Sequence, residues 1–162
     1  VIILKMNSLS DIAMIQKLYD AAKAGVELRL IIRGIFCMLS ENKKFTIPVK
    51  AISIVDGYLE HARVWVFHNK GKEKVYISSA DWMLRNMEHR VEATCPVWND
   101  SIKEELKDIL SIQLSDNVKA RKLNNTLSNE YVSNPGKKTR SQIETYNYLV
   151  KKKLNKIETG SN

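Results

Sequence analysis

The segment that most restricts the fold of this chain is Val1–Ile32. It reads as an apolar run, an amphipathic helix and a second apolar run. Val1–Met6 is rich in β-branched and aliphatic residues, the pattern of a buried strand. Ser10 reads as a helix N-cap, with Asp11 in the first turn. Ile12, Ile15, Leu18, Tyr19 and Ala22 then recur at helical spacing, and Gly25 closes the helix. Val26–Ile32 is a second buried strand. Strand, helix and strand in so short a stretch demand a parallel pair joined by a right-handed crossover. The predicted fold class is therefore α/β, a mixed β-sheet flanked by helices.

The remaining chain fits that frame. Residues 34–49 are loop-like, and Ala51–Val55 is a short strand ending at Asp56 and Gly57. Arg63–Phe67 and Val75–Ile77 form a hairpin across a polar connector. Val91–Val97 is a further strand, broken by Pro96. Ser101–Leu114 is an amphipathic helix with Ile102, Leu106, Ile109, Leu110 and Leu114 on one face, capped by Asn99 or Ser101. Residues 115–138 are polar and irregular. Ser141 with Glu144 reads as a capping box before a short helix carrying Ile143, Tyr146, Leu149 and Val150. Lys151–Lys153 and the last residues read as frayed. The expected organisation is an α/β unit over 1–114 and a basic extension over 115–162 packed on it. A purely structural role, docking on another domain, is an expectation for that extension.

Composition excludes several classes. With 162 residues, 44% hydrophobic and 27% charged, the chain is long enough for one packed core. No apolar stretch is long enough to span a bilayer. The only cysteines, Cys37 and Cys95, cannot build a disulfide framework and lack zinc spacing, so a cytoplasmic, reducing setting fits. Both read as small buried hydrophobes. The opening run, without Met, reads as a start inside a larger protein. The net charge of +8 suits a polyanionic partner.

Few residues carry chemistry by type and place. Arg33 follows an apolar strand and precedes Gly34, at a strand end where α/β sheets bind ligands. A phosphate contact and a structural ion pair both fit it. His61 can act as a neutral nucleophile or a cationic donor near neutral pH, with Glu60 and Arg63 as neighbours that would tune it. Arg90 and Glu92 share one face if they lie on a strand. Asp81 follows a turn of small residues. Lys5 and Asn7 end the first strand. Trp82 reads as core, and His68 and His89 as solvated.

Several segments together resemble the C-terminal domain of bacterial polyphosphate kinases. They are Leu4–Leu9, Leu30–Gly34, Ile52–Asp56, Tyr58–His61 and Val75–Met83, followed by Arg85 with Asn86, Arg90–Glu92, Asp116–Arg121 and Ser128–Val132. The resemblance runs through nearly the whole chain in order. It implies a phospholipase-D-like fold. His61 and Arg63 stand where that superfamily has His and Lys, and Asp81 stands where it has Asn, so diester hydrolysis is not implied.

What the resemblance implies about function is specific. The family transfers the terminal phosphate of ATP reversibly to polyphosphate, releasing ADP. Arg33 would contact nucleotide phosphates, and His61 would face them as proton donor or transition-state stabiliser. Arg63 and Arg90 would support them, with Asp81, Glu92, Lys5 and Asn7 in secondary places. The phosphorylated histidine would lie on an upstream domain of the same polypeptide, so this chain alone is expected to be inactive. Mg2+ is expected with ATP, its ligands outside this chain. The full enzyme is expected to be a homo-oligomer, and its membrane association is compatible with the family although nothing here would anchor it. Gly57 departs from the arginine usual in the family. The rival readings are a nonspecific polyanion or nucleic-acid binding module, for which no recognition motif is present, and a phospholipase-D-type phosphodiesterase.

Overall fold

The structure, a computed structural model, describes residues 1–158. Seven strands form one sheet: β1 (Ile2–Met6), β2 (Leu28–Ile32), β3 (Lys50–Ile54), β4 (Val64–Phe67), β5 (Lys74–Ser78), β6 (Thr94–Pro96) and β7 (Ala120–Lys122). Their order is β6-β5-β4-β1-β2-β3-β7. β1, β2 and β3 are parallel, and the outer strands on both sides run antiparallel to their neighbours. The sheet is mixed and helix-flanked, as the sequence predicts.

Alternation sorts side chains between two cores. Leu4, Met6, Leu30 and Ile32 pack with Ile15 and Leu18 of α1 (Ile12–Lys23). Ile31, Ile52, Ile54, Val64 and Val66 pack with Leu110 and Leu114 of α2 (Asp100–Leu114). β2 is buried on both faces, which is why Leu28–Ile32 is nearly continuous in apolar residues.

Helix ends differ in detail from the sequence reading. The N-cap of α1 is Asp11 rather than Ser10; its carboxylate accepts the Met14 N–H at 2.9 Å. At the other end Gly25 takes φ +84°. Val26 N–H reaches the Ala21 carbonyl at 2.9 Å and Gly25 N–H reaches Ala22 at 3.2 Å, a Schellman closure. That closure holds Val26 out of the strand, so β2 begins at Leu28. Asn99 caps α2.

The C-terminal third has more order than its polarity suggests. β7 pairs with β3, against the expectation of an irregular 115–138. The last helix, α3 (Ser141–Glu158), has 18 residues, and Lys151–Lys153 lie within it rather than fraying. Residues 159–162 lie outside the described residues. The expected capping box is absent because Ser141 is already helical; its N–H donates to Asp116 at 2.7 Å. α3 packs on α2 through Tyr148 to Asp108 and Lys152 to Glu105, both at 2.7 Å. Ile143, Tyr146, Val150, Leu154 and Ile157 remain exposed. Cys37, on a loop, and Cys95, on edge strand β6, are exposed, correcting the buried reading.

Candidate functional site

The carboxyl ends of β1, β2 and β3 meet the start of β4 and the end of β5 at one edge of the sheet. β1 is the turning point of the topology. The chain builds outward from it to β2 and β3, then returns to its other side with β4. Open α/β sheets bind ligands outside the carboxyl ends at such a point.

A hydrogen-bonded chain crosses this edge from β2 to β5. Arg33, just past β2, donates from Nε to Asn7 Oδ1 at 3.1 Å. Asn7, just past β1, gives its backbone N–H to Asp81 Oδ1 at 2.8 Å and its side-chain amide at 3.2 Å. Asp81 in turn receives Arg63 Nε and Nη2, each at 3.2 Å. Asn7 and Asp81 are buried. Burial acts to raise the Asp81 pKa. The hydrogen bonds from Arg63 and the backbone N–H groups of Asn7 and Ser8 outweigh it and hold the carboxyl below its ordinary value.

The two arginines differ in their commitments. Arg63 is in an ion pair with Asp81 and spends Nη1 on the His61 carbonyl at 2.9 Å. Arg33 has no carboxylate partner among the described residues, and its terminal nitrogens make no hydrogen bond there. Among the described residues the carboxylate-pair alternative for Arg33 is not found.

Lys5 lies beneath this chain on the α2 side, 4% exposed. Its ammonium donates to Glu60 Oε2 at 2.6 Å, and Gln113 Nε2 donates to the same oxygen at 3.1 Å. Burial lowers the Lys5 pKa; Glu60 opposes the shift and nearby Arg33 adds to it. His61 is exposed on the β3–β4 connection. Glu60 and Arg63, expected to tune it, direct their side chains to Lys5 and Asp81 instead.

Arg90 and Glu92 form a separate group. They precede β6 rather than sharing a strand, because pairing with β5 begins only at Thr94. A five-residue π-helix, Arg85–His89, ends just before them. Ser79 Oγ and Asn86 Nδ2 both donate to the Glu92 carboxylate and lower its pKa. Arg90 is exposed. The pair lines a cleft of about 650 Å³ with Trp65, Tyr76, Trp82 and Asn86. Trp82 is core, 4% exposed, and packs edge-on to Trp65. His68 and His89 are exposed.

Sequence reading missed the role of the C-terminal third. Asp116 is fully buried and accepts N–H groups from Val118, Lys119, Ala120 and Ser141. These bonds keep its pKa low against the opposing effect of burial. Gln142 reaches Glu60, and Arg140 forms a forked pair with Asp56. No local pattern signals such contacts, because the partners are far apart in sequence. The carboxylates at this edge are taken up by cations and amides. Among the described residues no three His, Cys, Asp or Glu side chains converge. The guanidinium and amide N–H groups at this edge are of the kind that suits phosphate oxygens.

Comparison with known proteins identifies the family. The family model described as Polyphosphate kinase C-terminal domain 2 matches residues 1–142. The polyphosphate kinase of Vibrio cholerae is 46% identical over 149 residues, covering 91% of this chain and 21% of that protein. That of Escherichia coli K12 is 42% identical over the same length, covering 91% and 22%. The chain thus spans about a fifth of the length of these relatives. The crystal structure of polyphosphate kinase from Porphyromonas gingivalis superposes with a TM-score of 0.91 at 46% identity, over 95% of this chain and 24% of that one. NucT from Helicobacter pylori matches at TM-score 0.51 and 14% identity, over 68% and 76%, a likeness of fold alone. No helix among the described residues is long and apolar enough to cross a membrane. By sequence and by fold, the chain belongs to the polyphosphate kinase C-terminal domain family.

Proposed function

We propose that this domain forms one wall of a phosphate-transfer site in an ATP:polyphosphate phosphotransferase. The observation that carries the reading is Arg33: a half-buried guanidinium at the carboxyl edge of the sheet, oriented by Asn7 and with no carboxylate partner among the described residues. Phosphoryl transfer needs cations that neutralise non-bridging oxygens and hold them in place. A planar guanidinium with free terminal N–H groups suits two phosphate oxygens.

In this reading Arg33 binds phosphate directly and Asn7 aims it. Asp81 fixes both Asn7 and Arg63, and Arg63 braces the His61 carbonyl. His61 presents its imidazole to the phosphates as proton donor or charge stabiliser. Arg90 adds positive charge at the neighbouring cleft, with Glu92 holding the turn beside it. Lys5 and Glu60 support the edge from below. The phosphorylated histidine comes from upstream parts of the polypeptide, and the full enzyme works as a homo-oligomer in the cytoplasm. Magnesium, which shields the charge of ATP, is held outside the described residues. No step here is assigned to it.

Titration of short-chain polyphosphate into the isotope-labelled chain tests the reading, with the three histidine imidazoles followed by NMR. The expected result is a shift of His61 alone, stronger than that caused by a DNA oligomer of equal charge. Arg33→Ala should weaken polyphosphate binding roughly ten- to a hundredfold, the loss of charge-assisted hydrogen bonds contributing about 1.5–3 kcal/mol. Equal, weak shifts of His61, His68 and His89 with both polyanions would sink it. Residues 1–162 alone should form no ADP from ATP and polyphosphate. Activity that persists through purification overturns that expectation.

A further inference from the structure

The β3–β4 connection carries His61, yet little in its own sequence fixes its shape. Tyr58 and Leu59 are 77% and 70% exposed, so no apolar side chain anchors it. A polar latch from the start of α3 does so. Tyr58 N–H donates to Gln142 Oε1 at 3.0 Å, and Gln142 Nε2 donates back to the Tyr58 carbonyl at 2.8 Å. One side-chain amide thus pairs with both backbone groups of one residue, as a neighbouring strand would. The same Nε2 donates to Glu60 Oε1 at 2.9 Å, spending its second hydrogen. Glu60 is held in turn by Lys5 and Gln113. Asp56, at the start of the connection, grips Arg140 at 2.8 and 2.6 Å.

The latch is not needed to hold α3. That helix is fastened by Asp116 at its first N–H, and by Tyr148 and Lys152 to α2. Gln142 could be lost without undoing any of these. Its amide instead spends every donor and one acceptor on residues 58 and 60, immediately before His61.

We propose that Gln142 is a positioning residue, which sets the backbone of Tyr58–Glu60 and thereby the place of His61. The inference rests on the reading of His61 as a phosphate-facing residue. It extends the site from the sheet edge into the C-terminal helix, whose residues beyond 142 lie outside the matched family model. Without the latch, Tyr58 and Leu59 are left free between the anchors at Asp56 and Glu60, and the imidazole is held less narrowly by the Arg63 bond to its carbonyl alone.

The test uses the whole chain with three forms: unsubstituted, Gln142→Ala and Gln142→Glu. Backbone hydrogen exchange and the His61 imidazole are read by NMR. In Gln142→Ala the Tyr58 N–H should exchange at least tenfold faster and the His61 signal should broaden. The amides of α3 should keep their protection, and the polyphosphate-induced His61 shift should be lost. Gln142→Glu keeps the shape and can accept from Tyr58, but at neutral pH it cannot donate to Tyr58 or Glu60. Protonation of the new carboxyl, which faces Glu60 with its partner Lys5 and lies near Arg140, restores a donor. Tyr58 protection relative to the unsubstituted protein should therefore recover as pH falls from about 6 towards 4. The polyphosphate-induced His61 shift should return in parallel, which a role confined to holding Tyr58 would not produce. Unchanged Tyr58 exchange in Gln142→Ala, or loss of α3 protection along with it, overturns the proposal. If Gln142→Ala frees Tyr58 and His61 while polyphosphate leaves the unsubstituted His61 untouched, the latch stands and the phosphate reading falls.

Discussion

Arg33 and Arg63 are the same residue type at the same sheet edge, and their partners separate them. Arg63 is bound to a buried carboxylate, whereas Arg33 has one neutral acceptor. Their mutational signatures should differ accordingly. Asp81→Asn should destabilise the fold by about 3 kcal/mol in a denaturant titration, because it leaves Arg63 half-buried and without its countercharge. Arg33→Ala should cost less than about 1 kcal/mol of stability, the worth of one neutral-acceptor hydrogen bond, and should act on anion binding instead. Equal stability losses for the two variants would contradict the assignment. Arg33 was legible in the sequence because an apolar run followed by Arg and Gly marks a strand end. The commitment of Arg63 was not, because Asp81 reaches it only once β4 and β5 pair. Glu60 was legible as a neighbour of His61 but not as the partner of Lys5, which depends on the sheet being built.

Among the elements, β1, α1 and β2 follow directly from periodicity, and the errors there are confined to caps. Asp11→Ala should cost about 1 kcal/mol of stability, the usual worth of an N-cap, while leaving polyphosphate binding unchanged. A thermal melt and a binding titration on that one variant check both statements. Leu110→Ala should cost between about 2 and 5 kcal/mol, since Leu110 is fully buried between α2 and the sheet. β7 escaped detection because three residues carry no period, and it exists only as a partner for β3. The lysine run in α3 looked like a frayed end. Lysine is a good helix former, however, and Lys152 is tied to Glu105. The strand expected at Val91–Val97 shrank because Glu92 lies in an irregular segment and is held by Ser79 and Asn86, a side-chain constraint that no alternation encodes.

For the molecule as a whole, two buried carboxylates set the response to acid. Asp81 and Asp116 both have folded pKa values below their ordinary ones. A depressed carboxyl contributes stability that is complete above its unfolded value, near about 4. That contribution is lost as pH falls through the lower folded value. Stability should therefore hold from neutral pH down to about 5 and decline steeply below about 4, and Asp116→Asn should flatten that decline. Denaturant midpoints measured across that range decide it; a midpoint indifferent to acid would refute it. The bonds from Asp56 to Arg140 and from Tyr58 to Gln142 each span 84 positions of the chain. During synthesis at about 5–20 residues per second, the ribosome needs roughly 4–17 seconds to add that stretch. A newborn chain therefore has the residues of β1, β2 and Arg33 available well before the His61 connection can be latched, and the site closes only when nearly all of the domain has been made.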